Sequence, residues 1–150
     1  MLHVLLFLLQ PDEQSDDFCR VTKSWFEQIV TSTRNLHELC TQPFIEVVMP
    51  ALQLLLVVSQ QSWGRQFIVD TPGLLEWLLD REAACGVHKS TGSGASPECL
   101  RAKFDVAKVL NASPELGIAP ELKNNLAEFV QQGPFFKRGL YEVATEAPGN

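Results

Sequence analysis

The sequence lacks the features by which nucleic-acid-binding and metal-dependent proteins are recognised. It has 12 Lys and Arg residues against 18 Asp and Glu residues, a net charge of -6, and no basic run longer than Lys137-Arg138. Because binding to a phosphate backbone depends on clustered positive charge, we do not expect nucleic acid as a partner. The three histidines, His3, His37 and His88, are far apart and form no His-x-x-x-His pair, so they predict no metal site.

The common catalytic motifs are also missing. The chain contains no GxGxxG sequence, no phosphate loop ending in Gly-Lys-Ser/Thr and no Gly-x-Ser-x-Gly elbow. Glu76 and Asp80 are four residues apart on one predicted helix face, as a catalytic carboxylate pair could be. The adjacent Arg81 favours a solvated or partner-facing helix end instead. We therefore predict no enzymatic activity and no cofactor, and keep an enzyme that uses the carboxylates near Glu76 as the minor hypothesis.

Four cysteines, Cys19, Cys40, Cys85 and Cys99, are scattered without a short repeating spacing. Reduced, structural thiols are the default for such a pattern in an intracellular chain, and this is what we predict. Cys85, His88 and Cys99 could supply three zinc ligands. No fourth ligand lies nearby, however, and the spacing matches no familiar zinc site.

One apolar stretch dominates the chain. From residue 44 to residue 58, only Glu46, Pro50 and Gln53 interrupt a run of apolar side chains that covers every face of a helix. A membrane-spanning helix needs about 18 to 20 apolar residues with few or no interruptions, so the stretch predicts a buried central helix. We expect Pro50 to kink this helix, and we expect its neighbours to be the helix of Trp25 and the helix at residues 74–79.

Periodic apolar residues and capping signals predict further helices on both sides of the central one. The second of these is expected to bury Phe18, Val21, Trp25 and Ile29, with Phe26 and Val30 widening the apolar stripe, and the fifth to begin at a Thr71 cap. The first, Leu-rich helix lacks the basic segment and cleavage site of a signal peptide, so a packed helix is the preferred interpretation. The predicted helices cover residues 2–10, 15–31, 36–39, 62–69, 71–81, 96–110 and 120–132.

Helices joined by turns, without strand alternation or a hairpin signal, predict an all-α chain that forms a single unit over residues 1–150. Residues 82–96 are expected to form a flexible loop and residues 137–150 a loose tail. The helix pairs fit a HEAT/armadillo-like helical-repeat solenoid, although no clean internal repeat is present. A closed helical bundle is the alternative.

Six motifs occur in one order along the chain: SWF at 24–26, TQPF at 41–44, QSW at 61–63, PGLLEWLLDR at 72–81, AKFDVAKVL at 102–110 and GPFF at 133–136. In this order the chain resembles the carboxy-terminal part of the proteasome non-ATPase regulatory subunit 5 family. The resemblance implies a non-catalytic, HEAT/armadillo-like chaperone that binds AAA ATPase subunits of the regulatory particle base during 26S proteasome assembly. It also implies a cytoplasmic protein that can enter the nucleus, and a chain corresponding to only part of the family's length.

Partner contacts in a solenoid are spread along exposed positions of successive helices. Arg81, Lys103 and Lys108 are the candidates for the polar part of such a surface, and Phe135 and Phe136 are candidates for apolar anchors after the last helix. The alternative for these residues is that the charges are ordinary solvated groups and the two phenylalanines cover the end of the core. The alternative function is a helical scaffold with unrelated protein partners.

Overall fold

The structure is a computed structural model that describes residues 15–32, 36–86, 95–137 and 139. The described residues form helices and no strands, which confirms the all-α prediction; the solenoid type stays a prediction. None of the described helices has the length and hydrophobicity needed to cross a membrane. The predicted helix at 2–10, residues 87–94 of the predicted loop and nearly all of the predicted tail lie outside the described residues. The helices are α1 Asp16–Ser32, α2 Leu36–Cys40, α3 Ile45–Ser59, α4 Ser62–Asp70, α5 Leu74–Leu79, α6 Pro97–Asn111 and α7 Pro120–Gln132.

Helix α3 is the centre of the core, as its composition predicts. Its buried side chains include Leu52, Leu55 and Val58, none of which is exposed to solvent, whereas Glu46 and Gln53 are exposed. The polar interruptions of the apolar run therefore point outward. The main neighbours differ from the predicted ones: α3 packs mainly against α6, and also against α2 and α4, while α1 packs against α4.

Helix α1 buries only part of its predicted apolar stripe. Val21 and Trp25 are 42% and 43% exposed, whereas Thr22 and Phe26 are buried. The Phe26 ring lies 4.9 Å from the ring of Phe67, in an edge-on arrangement. Thr22 and Phe26 are four residues apart and thus share one face, and the contact of this face with α4 turns Val21 and Trp25 towards solvent.

One predicted helix cap, at Ser96, is confirmed, and another, at Thr71, was wrong. Ser96 caps α6 as expected, because its hydroxyl oxygen accepts a hydrogen bond from the Cys99 amide at 3.2 Å. Thr71 does not cap α5, since its hydroxyl donates to the Phe67 carbonyl at 2.7 Å and so belongs to the end of α4. Helix α5 begins after Gly73, whose positive φ of 76° suits glycine.

Candidate docking surface

A groove of about 510 Å³ lies between α5 and α7. Side chains of α7 that recur every three or four residues form one wall, and the end of α5 with the following turn forms the other. The apolar floor is made by Leu79, Leu122, Phe129 and Phe136. The polar residues of the groove are Glu76, Asp80, Arg81, Glu82, Asn125, Glu128 and Gln132.

Arg81, the first of the predicted contact residues, lies at the end of the α5 wall and forms hydrogen bonds to the α7 wall. Its guanidinium donates to the carbonyl oxygens of Phe129 and Gly133 at 3.0 and 2.8 Å. It also lies 4.0 Å from the centre of the Phe129 ring. Because the last carbonyls of a helix have no partner within the helix, these bonds stabilise the end of α7. Burial lowers the pKa of Arg81, and the nearby Glu128 carboxylate opposes this effect.

The rim of the groove is acidic. Glu76, Asp80, Glu82 and Glu128 are all exposed, and the Asp80 carboxylate accepts a bond from the Glu82 amide at 2.8 Å. The close ion pairs Arg20–Asp17 and Lys23–Glu27 lie in α1, and none of the four rim carboxylates is paired at such a distance in the described part of the chain. Arg81 and Lys103 act on Glu128 and Asp80 only at longer range. Glu76 and Asp80 lie open to water, and the geometry does not provide the desolvated carboxylate pair that acid-base chemistry would use.

The expected exposure of Lys103 was wrong. Its side chain is fully buried, and its ammonium donates to the carbonyl oxygens of Trp77 and Asp80, each at 3.0 Å. The ammonium also lies 3.9 Å from the centre of the Trp77 ring. A cation at the carboxyl end of a helix donates to carbonyls that have no partner within the helix, and it complements the helix dipole. Lys103 therefore caps the carboxyl end of α5 from the buried side. Burial lowers the pKa of Lys103, against the opposing effects of neighbouring groups that include Cys85 and Asp80.

The other three candidates are at the surface. Lys108 is exposed, with its ammonium 5.8 Å from the centre of the Phe104 ring. Phe135 and Phe136 are 49% and 39% exposed, and Phe136 lines the groove. The structure therefore brings Arg81 and Phe136 to the groove, buries Lys103, and leaves Lys108 and Phe135 outside the groove lining. Their contact with a partner stays a prediction.

Sequence reasoning missed the acidic residues of the groove. Glu82 was assigned to a loop and Glu128 was not singled out. The spacing of Leu122 and Phe129 on the predicted buried side of α7 does place Glu128 next to that side. What the sequence could not supply is the packing of α7 against α5, which makes the acids of two separate segments neighbours.

The cysteines are free thiols in the structure, and three of them, Cys40, Cys85 and Cys99, are buried. Burial raises the pKa of Cys40 to about 12. Hydrogen bonding between Cys85 and Cys99 raises the pKa of Cys85 and lowers that of Cys99 to about 7. Within the described ranges, no three His, Cys, Asp or Glu side chains are grouped so that they could hold a metal ion, and His88 lies outside those ranges.

Comparison with known sequences shows where this architecture belongs. A family described as "Proteasome non-ATPase 26S subunit" matches residues 3–150. The chain belongs to this family. The match includes both helices of the groove and confirms the resemblance stated from the six motifs. No solved structure matches the chain.

Relatives in three animals carry the name 26S proteasome non-ATPase regulatory subunit 5. The Homo sapiens protein is 26% identical over 147 residues, which cover 94% of this chain and 27% of that protein. The Bos taurus protein is 28% identical, with 94% and 26% covered, and the Drosophila melanogaster protein is 25% identical, with 89% and 24% covered. The chain thus spans about a quarter of the length of the curated relatives it matches.

Proposed function

We propose that the chain is a non-catalytic assembly chaperone for the base of the 26S proteasome regulatory particle and binds AAA ATPase subunits. The observation that carries this proposal is the match of nearly the whole chain to the proteasome non-ATPase 26S subunit family. Its relatives are named as non-ATPase regulatory subunits, which agrees with a role in binding rather than catalysis. We place this activity in the cytoplasm and the nucleus.

A packed helical unit suits a role in binding large protein clients. Its core fixes the positions of the helices, and each helix leaves a narrow exposed strip for a partner. At one end of the described structure, Phe135 and Phe136 are exposed apolar side chains next to the acidic groove. Binding there would cover a client surface until later subunits displace the chaperone.

Affinity purification of the tagged chain from a cell lysate tests the proposal. We expect base ATPase subunits to be recovered without the 20S core particle, because an assembly chaperone binds its client before the mature proteasome forms. Recovery of unrelated proteins and no ATPase subunit would favour the helical scaffold with other partners. Recovery of complete 26S particles would contradict an assembly role.

A matched control comes from the core. Leu55 is fully buried, so Leu55→Asp should unfold the chain. A protein recovered in equal amounts with this unfolded variant and with the native chain does not need the folded structure, because it binds exposed apolar side chains. Such proteins are removed from the list of partners. Fractionation of the same cells should place the tagged chain in the cytoplasmic and nuclear fractions.

A further inference from the structure

The α5–α7 groove combines an apolar floor with negative charge on both sides. Leu79 and Leu122 contribute to the floor between the two helices, while Glu76 extends from the α5 side and Glu128 from the α7 side. With Asp80 and Glu82, four carboxylates surround one groove of about 510 Å³. This volume lies within the range of about 300 to 1,000 Å³ that is typical of ligand sites.

The basic residue inside the groove does not neutralise this rim. Both terminal nitrogens of Arg81 are directed at α7, where they donate to the Phe129 and Gly133 carbonyls and, at 3.4 Å, to the side-chain oxygen of Gln132. Its guanidinium also stacks on the Phe129 ring. The residues that line the groove carry four carboxylates and one guanidinium, which leaves three excess negative charges, or two when the buried Lys103 ammonium behind Asp80 is included.

We propose that the α5–α7 groove binds a segment of a partner protein that carries a lysine or arginine next to an apolar side chain. The cation is placed between the carboxylates of Glu76 and Glu128, and the apolar side chain covers the floor at Leu122 and Phe136. Charge complementarity favours a basic occupant. An acidic segment would be repelled by four carboxylates, and a purely apolar one would offer them no compensating positive charge. The assignment of this segment to a base ATPase subunit rests on the proposed function; the chemistry of the groove does not.

A direct test uses a fluorescein-labelled peptide of alternating leucine and lysine and measures its binding by fluorescence anisotropy. The variant Glu76→Gln/Glu128→Gln removes one carboxylate from each wall and keeps the size of both side chains. We expect its affinity for the peptide to fall about tenfold at low salt, and the difference to shrink as salt rises. The same peptide with glutamate in place of lysine should not bind.

The matched control is Glu46→Gln/Asp105→Asn, which removes two exposed carboxylates of α3 and α6 that lie outside the groove. It lowers the net negative charge by the same amount, so its affinity should stay within about twofold of the native value. Circular dichroism and the melting temperature establish that both double variants are folded. An equal loss in the two variants, no loss in the groove variant, or no saturable binding of the lysine peptide would overturn the proposal.

Binding of each purified base ATPase subunit then separates the groove from the proposed function. If the native chain binds a subunit and the groove variant binds it more weakly than the control variant does, the basic segment belongs to that ATPase. If both variants bind equally well, the ATPase does not use the groove, and the proposed function stands. If no subunit binds while the lysine peptide does, the groove site stands and the proposed function fails.

Discussion

Replacing Lys103 by methionine tests whether the buried ammonium supports the end of α5. Methionine has a similar length and keeps the apolar stem of the side chain, so Lys103→Met removes mainly the charge and the donor. The structure gives that donor two partners, the carbonyl oxygens of Trp77 and Asp80. The Trp77 carbonyl also accepts from the Asp80 amide at 3.3 Å, so it keeps one partner after the change.

The expected loss follows from these contacts. The bond from the charged donor to the Asp80 carbonyl is lost without replacement by the protein, and a hydrogen bond to a charged group contributes about 1.5 to 3 kcal/mol. The contact with the Trp77 ring is lost as well, while the cost of burying the ammonium is removed. Because these last two changes have opposite signs, we expect Lys103→Met to lower the free energy of unfolding by about 1 to 3 kcal/mol at neutral pH.

The pH dependence gives this prediction a second readout. Burial lowers the pKa of Lys103 in the folded chain below its ordinary value of 10.5. Between the folded value and 10.5 the unfolded chain binds more protons at this residue, so its contribution to stability rises with pH. Lys103→Met lacks this rise, and the stability gap between the native chain and the variant should therefore widen as the pH is raised through the folded pKa towards 10.5.

Urea denaturation followed by tryptophan fluorescence and circular dichroism measures both effects. Lys108→Met is the matched control, since it makes the same change on the same helix at an exposed position, where the effect should lie within experimental error. If Lys103→Met is as stable as the native chain, then the ammonium does not support the end of α5. A gap that stays constant with pH would show instead that burial does not lower the pKa of Lys103.

Three further predictions concern the core, the groove and the thiols. Leu55→Ala should lower the free energy of unfolding by about 2 to 5 kcal/mol in the same assay, because Leu55 is fully buried in α3; a loss within error would mean that α3 is not central. Arg81→Gln should speed amide hydrogen exchange at the end of α7, where Phe129 and Gly133 lose their guanidinium partner, and unchanged exchange would rule out this role. Burial raises the pKa of Cys40 from 9.0 to about 12, so the folded chain retains a proton that the unfolded chain loses, and stability falls as the pH rises above 9. Cys40→Ala should show a smaller fall in urea melts, and an equal fall would assign the pH dependence to other groups.

The elements that sequence reasoning placed correctly are those with local signals. Ser96 and the following proline mark the start of α6, and Pro120 and Gly133 mark the two ends of α7. Helix α3 was identified from its apolar run, because a helix that is apolar on every face must be buried. These signals act within one or two turns of a helix, so they can be read without knowledge of the tertiary structure.

The errors at Trp25 and Lys103 have a common physical cause, which is that each depended on a partner distant in the sequence. Trp25 and Phe26 are both apolar and adjacent, and only the position of α4 decides that Phe26 is buried and Trp25 is exposed. Lys103 is buried because the end of α5 supplies two carbonyl acceptors there. Periodicity assigns residues to a face of a helix, but it does not reveal which acceptors or rings that face will meet.

Three basic residues were selected from the sequence as partner contacts, and two of them form hydrogen bonds at the carboxyl ends of helices. Arg81 is bound to the end of α7 and Lys103 to the end of α5. Reversing their charges together with that of Lys108 would thus put a carboxylate into the core beside the Asp80 carbonyl, and lost binding would report damage to the fold. A variant that tests docking must keep both basic residues and change the carboxylates around them. The exposed charge that the rim of the α5–α7 groove offers to a partner is negative, and the complementary partner surface is therefore positive.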